Sequence, residues 1–132
     1  MSEHSPHSLR TPLGRVRNLG SARSGTGHFW HQRLTSVANV PLTILVVLII
    51  LGLLGRNHAA VVQILGSTFV AITMLLFIIT SVYHMWLGMQ VIIEDYMHDE
   101  LLKFVTLMAN TFFSFTVGLV AVFAILKLSF GL

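Results

Sequence analysis

The chain has 132 residues, 55% of them hydrophobic and only 10% charged, with a formal net charge of +3. That balance excludes a small water-soluble domain, because a core of this size cannot bury so many apolar side chains. Cysteine is absent, which removes disulfides, thiolate metal sites and cysteine-held iron–sulfur clusters; a redox centre here would need histidine or an organic cofactor.

Residues 1–33 are polar, rich in Ser, Gly, His and Arg, with Glu3 as their one acid. An Arg-rich, Ser-rich, acid-poor start resembles a transit peptide, and the competing reading is a basic cytoplasmic tail that meets a partner or anionic headgroups. The tail is the preferred reading. It closes on "GHFWHQR", Gly27 to Arg33, where Phe29 and Trp30 suit a membrane interface and Arg33 is the last charge before an apolar run. The expected organisation is therefore a tail over 1–33 and a membrane domain over 34–132.

Three uncharged stretches follow: Leu34–Gly55, Asn57–Ile93 and Phe104–Leu126. Each exceeds the roughly 20 residues that cross a hydrocarbon core of about 30 Å. Backbone polar groups in lipid must be satisfied within the segment, so each stretch should be helical. The fold class expected is an all-α membrane protein with three transmembrane helices, over about 35–54, 61–93 and 101–127. Pro41 falls in the first two turns of the first helix, where membranes tolerate a kink. "GRNH", Gly55 to His58, is a turn. The second stretch would span about 55 Å as one helix. Part of it must leave the hydrocarbon: Val61 to Val82 fills the bilayer, and Gln90 to Tyr96 emerge. Arg10, Arg15, Arg17, Arg23 and Arg33 precede the first helix, while only Arg56 lies in the first connection. The positive-inside rule then puts the N-terminus in the cytoplasm (or a mitochondrial matrix), Asp95 to Lys103 on the same side, and Leu132 opposite.

The chemistry-bearing stretch is "HMWLGMQVIIEDYMHDE", His84 to Glu100. An ionisable ring within a membrane helix has three open uses: an interhelical hydrogen bond, a proton relay, or axial ligation of haem iron. The first and third helices contain no histidine, and His58 lies near the other surface. A haem bound here would take its second histidine from another chain. Eleven helical residues advance about 1,100°, so Asp95 falls some 20° off His84 and about 16 Å further along the same face. At the membrane surface the Tyr96 hydroxyl can donate to a carbonyl oxygen, and a nearby carboxylate can orient or protonate such a site. An interfacial tyrosine beside solvated acids is the alternative. Gly88 leaves room for a flat macrocycle or a second helix. Asn39 and Asn110 are polar groups in apolar spans, suited to bonds between helices.

The string from His84 to Tyr96, H-M-W-L-G-M-Q-V-I-I-E-D-Y, resembles the H-x-W-x-G…D-Y signature of the small cytochrome b membrane-anchor subunits of succinate dehydrogenase, respiratory complex II. The histidine-to-Asp-Tyr spacing and the glycine four places after the histidine both match. "HQRLTSVANVPL", His31 to Leu42, is similar to that family's pre-helix Arg and small-polar helix start, and "GTGHFW" resembles its alphaproteobacterial members. The resemblance covers about residues 27–127. It implies a non-catalytic subunit of an oxidoreductase, working with a flavoprotein subunit that oxidises succinate, an iron–sulfur subunit, and a larger cytochrome b anchor subunit. The two anchors would share haem b and form the ubiquinone-reduction site. On this resemblance His84 is an axial haem ligand, Arg33 meets the haem propionates, Tyr96 hydrogen-bonds ubiquinone, and Asp95 supports that site. The implied place is the bacterial inner membrane, in electron transport and the tricarboxylic acid cycle. A quinol:fumarate reductase anchor is the nearest variant. A small transporter and a haem-free structural anchor are the other classes, though a transporter would normally hold an ionisable group near mid-membrane.

Overall fold

The computed structural model describes Thr11, Leu13 and residues 24–131. Most of the basic tail, including Arg10, Arg15, Arg17 and Arg23, lies outside the described residues. Four helices make up the described part: α1 (Ser24–Leu53), α2 (His58–Leu65), α3 (Thr68–Tyr96) and α4 (Glu100–Phe130). No strand occurs among the described residues. The fold class is all-α, and α1, α3 and α4 are each long and apolar enough to cross a membrane. At 1.5 Å per residue each is about 45 Å long, so its ends reach past the hydrocarbon or the helix tilts.

Several expected boundaries move. The first helix begins at Ser24 rather than near 35, taking in "GHFWHQR". His28 and Gln32 belong to that extension, and both are partly buried. The helix runs on through Pro41 without a break. The helix expected over 61–93 is instead two elements, α2 and α3, separated at Gly66–Ser67. Gly66 ends α2, and Ser67 has an extended backbone (φ −65°, ψ 140°) with its hydroxyl donating to Ile64 O at 2.7 Å. The reason for a glycine there is tertiary. A Cβ on Gly66 would sit 3.0 Å from the Leu128 carbonyl oxygen of α4, so the α2–α3 corner can approach α4 only without a side chain. Dividing the run also solves its excess length. α3 continues to Tyr96, three residues past the expected end, which keeps His84, Asp95 and Tyr96 on one uninterrupted helix.

The turns are built from local chemistry. Gly55 adopts φ 73°, a left-handed turn conformation, and Asn57 caps α2 by accepting from Ala60 N at 2.9 Å. Asp99 caps α4 in the same way, accepting from Leu102 N at 2.9 Å, with Glu100 in the first turn beside the positive helix end. α3 packs against both α1 and α4, whereas α1 and α4 scarcely meet. The arrangement is a slab with α3 in the middle, and its buried positions lie along the two seams: Val46, Ala71, Leu87, Ile93 and Ile125, with Thr35, Thr73, Asn110 and Ser114. Most large apolar side chains of α1 and α4 face outward, as lipid or a partner helix requires.

Candidate functional site

One face of α1 carries polar residues at helical spacing: His28, Gln32, Thr35 and Asn39. They face α3. Asn39 Oδ1 meets the Thr80 hydroxyl at 2.7 Å and the Ser81 hydroxyl at 3.3 Å. Thr35, only 8% exposed, holds its Oγ1 3.0 Å from Nδ1 of His84. Gln32 lies against Gly88, where an added methyl would come 3.3 Å from Gln32 Nε2. The glycine's missing side chain therefore serves the approach of α1. Gln32 Oε1 and His28 Nε2 are buried with no hydrogen-bond partner. His84 is half-buried, its Nδ1 engaged by Thr35, and no hydrogen bond reaches its Nε2 among the described residues.

A second polar chain crosses the slab. His31 Nδ1 lies 3.2 Å from the Tyr83 hydroxyl, and Tyr83 stacks on Trp86 with centroids 5.7 Å apart. Trp86 donates from Nε1 to Thr111 Oγ1 at 3.1 Å, and Asn110 Nδ2 donates to the Trp86 carbonyl at 3.1 Å. Ser114, 3% exposed, lies 3.5 Å from Asn110 Oδ1. Residues 83 to 86 are thus tied to α1 on one side and to α4 on the other, which fixes the rotation of α3 about its axis. Asn39 and Asn110 both bond across helices, the use that polar groups in apolar spans predict.

The remaining candidates stand apart from this knot. Asp95 and Tyr96 occupy the exposed end of α3, with Tyr96 78% exposed. Because α3 is unbroken, Asp95 does share the face of His84, about 16 Å along the axis. Arg33 is exposed on α1 and its guanidinium lies 5.1 Å from the Phe29 ring centroid. Two residues from Thr35 is a rotation of about 200°, so Arg33 leaves α1 on the side away from His84. Among the described residues no three His, Asp or Glu side chains gather as a metal site. Two open apolar grooves, about 440 and 340 Å³, lie between α3 and α4, and neither is lined by His84, Arg33, Asp95 or Tyr96.

The comparisons with known proteins add the family. A family profile described as succinate dehydrogenase/fumarate reductase transmembrane subunit matches residues 7–125. The chain belongs to that family. Within this transmembrane-subunit family, it is 32% identical over 82% of its length to the succinate dehydrogenase hydrophobic membrane anchor subunit of Rickettsia bellii, covering 86% of that protein. The corresponding anchor subunit of Paracoccus denitrificans is 28% identical over 92% of this chain and 93% of its own length. That of Rickettsia conorii is 29% identical over 74% and 78%. No solved structure gives a significant match. A multi-pass membrane protein of an anchor-subunit family is what the spans and the relatives together establish.

Thr35 and Gln32 are the residues that sequence reading passed over. Their signal was present: polar side chains at 28, 32, 35 and 39 follow the 4-3-4 spacing of one helix face across an apolar span. What hid it was the expected start of the helix near 35, which left the first two members in a tail.

Proposed function

We propose that this chain is a membrane-anchor subunit of a succinate:ubiquinone oxidoreductase, holding haem b together with a larger anchor subunit and forming part of the ubiquinone-reduction site. The observation that carries it is His84. Its ring sits on the central helix, Nδ1 is taken by Thr35 Oγ1 at 3.0 Å, and no hydrogen bond reaches Nε2 among the described residues. An axial ligand needs one ring nitrogen anchored by the protein and the other free for iron, so the residue present fits the group. Bound haem would supply a one-electron centre between the two anchors. This chain contributes one histidine, and the second comes from the partner anchor.

At the end of the same helix, the Tyr96 hydroxyl donates to a quinone carbonyl oxygen and Asp95 supports that site. Their exposure supports a pocket completed by the iron–sulfur and larger anchor subunits. Arg33, exposed on α1, would be the guanidinium that pairs with haem propionates. Asp99 is engaged in capping α4, whereas Asp95 lies on the same helix as Tyr96 and next to it in sequence. The Arg-rich N-terminal side faces the cytoplasm of a bacterium with this inner membrane, and a flavoprotein subunit delivers electrons through the iron–sulfur subunit. The family description also covers fumarate reductases, which run the same chemistry in reverse.

Purification of the chain from its native membrane tests this. A flavoprotein, an iron–sulfur protein and a second anchor should accompany it, with a b-type absorption spectrum that is lost or altered in His84→Ala. A spectrum unchanged by that substitution would remove His84 as ligand.

A further inference from the structure

We infer that Thr35 is the positioning residue that holds His84 in its Nδ1–H tautomer and so keeps Nε2 bare for a ligand. The functional half of this inference rests on the haem reading above; the tautomer itself does not.

The assignment follows from counting protons. Thr35 Oγ1 lies 2.9 Å from the His31 carbonyl oxygen, 3.1 Å from the Gln32 carbonyl oxygen and 3.0 Å from His84 Nδ1. A hydroxyl has one proton, and both carbonyls can only accept. Were that proton directed at Nδ1, the oxygen's lone pairs would face two carbonyl oxygens with nothing between them. With the proton on the carbonyl side, a lone pair of Oγ1 is left for Nδ1–H. Neutral imidazole carries one N–H, so Nε2 then keeps its lone pair.

The acceptor is also held in place before His84 meets it. A threonine in a helix has few χ1 choices, and the back-bond to the preceding turn selects one of them. Thr35 is 8% exposed, so little solvent competes for the hydroxyl. The Nδ1–H bond fixes the ring's rotation as well as its tautomer. A histidine whose Nδ1–H is bonded to oxygen is a stronger donor through Nε2, which favours the higher charge on a bound iron.

The test uses the assembled complex carrying Thr35→Val, which removes the hydroxyl at nearly constant shape, and Thr35→Ser, which keeps it. Thr35→Val should weaken haem retention by about 10–100-fold and move the haem midpoint potential upward, while Thr35→Ser restores both. Succinate oxidation with a soluble acceptor, unchanged from wild type in both variants, reports intact assembly. Unaltered haem retention and potential in Thr35→Val would overturn the inference. Should Thr35→Val fail to assemble, nitrogen-15 spectra of the full wild-type chain, histidine-labelled and in bilayers, decide it. The His84 signal, identified by its loss in His84→Gln, should show a protonated Nδ1 and a bare Nε2; a proton on Nε2 sinks the tautomer assignment. A haem spectrum that survives His84→Ala overturns the functional half together with the haem reading, and leaves the tautomer to those spectra.

Discussion

His84 Nδ1 and Thr35 Oγ1 lie 3.0 Å apart although the residues are 49 positions apart in the chain. The contact sets the register of α1 against α3, since Asn39 meets Thr80 on the same antiparallel alignment. Sliding α1 by one turn would break both contacts at once and leave polar groups facing lipid. The histidine's environment is therefore a property of two helices, and a change on either one reaches it.

Tyr96 is the residue on which the quinone reading turns. Tyr96→Phe removes the hydroxyl from an exposed helix end where little packing depends on it. Ubiquinone reduction should slow by at least tenfold, while succinate oxidation with an artificial soluble acceptor stays at the wild-type rate. Equal loss of both activities would point to misassembly and count against a quinone contact.

Gly66 tests the corner between α2 and α3. An alanine there would place its Cβ 3.0 Å from Leu128 O and 3.1 Å from Val62 O, and backbone atoms cannot swing aside as a flexible side chain can. Gly66→Ala should destabilise the folded chain by about 1–3 kcal/mol. Unfolding in mixed micelles would measure it, and an unchanged midpoint would mean that α4 does not approach so closely.

Gly88 should behave differently. Its added methyl meets only Gln32 Nε2 at 3.3 Å, the tip of a flexible side chain. Gly88→Ala should be tolerated, and Gly88→Leu should push α1 from α3 and reduce haem retention. If the leucine variant keeps wild-type haem, then α1 is not seated on this face in the assembled protein.

Asn110 ties α4 to the backbone of α3 at Trp86 and is 9% exposed. Asn110→Leu removes that bond, and membrane hydrogen bonds of this kind are worth about 0.6–2 kcal/mol. Stability in the same micelle assay should fall by that amount. A neutral or stabilising result would assign Asn110 to some contact outside this chain.

Topology can be read by labelling, because the chain has no cysteine of its own. His58→Cys should react with an impermeant thiol reagent added outside intact spheroplasts, and His98→Cys should react only after lysis. The reverse pattern would invert the orientation drawn from the arginines.

The sequence by itself determined the class of this protein. Long uncharged runs can only be helices in lipid, so three spans followed from composition and length. The His84-to-Tyr96 string carried the family resemblance, and the spacing of His84 and Asp95 on one face needed only an unbroken helix. Tertiary structure decided what each polar group meets. That Gly66 is a site of backbone approach depends on the Leu128 carbonyl, far along the chain. That Thr35 reaches His84 depends on α1 starting at Ser24 and lying antiparallel to α3. Periodicity assigns a residue to a face of its own helix; only packing supplies the atom across the seam, and in a membrane, where burial against lipid and against protein look alike in composition, those atoms set the register.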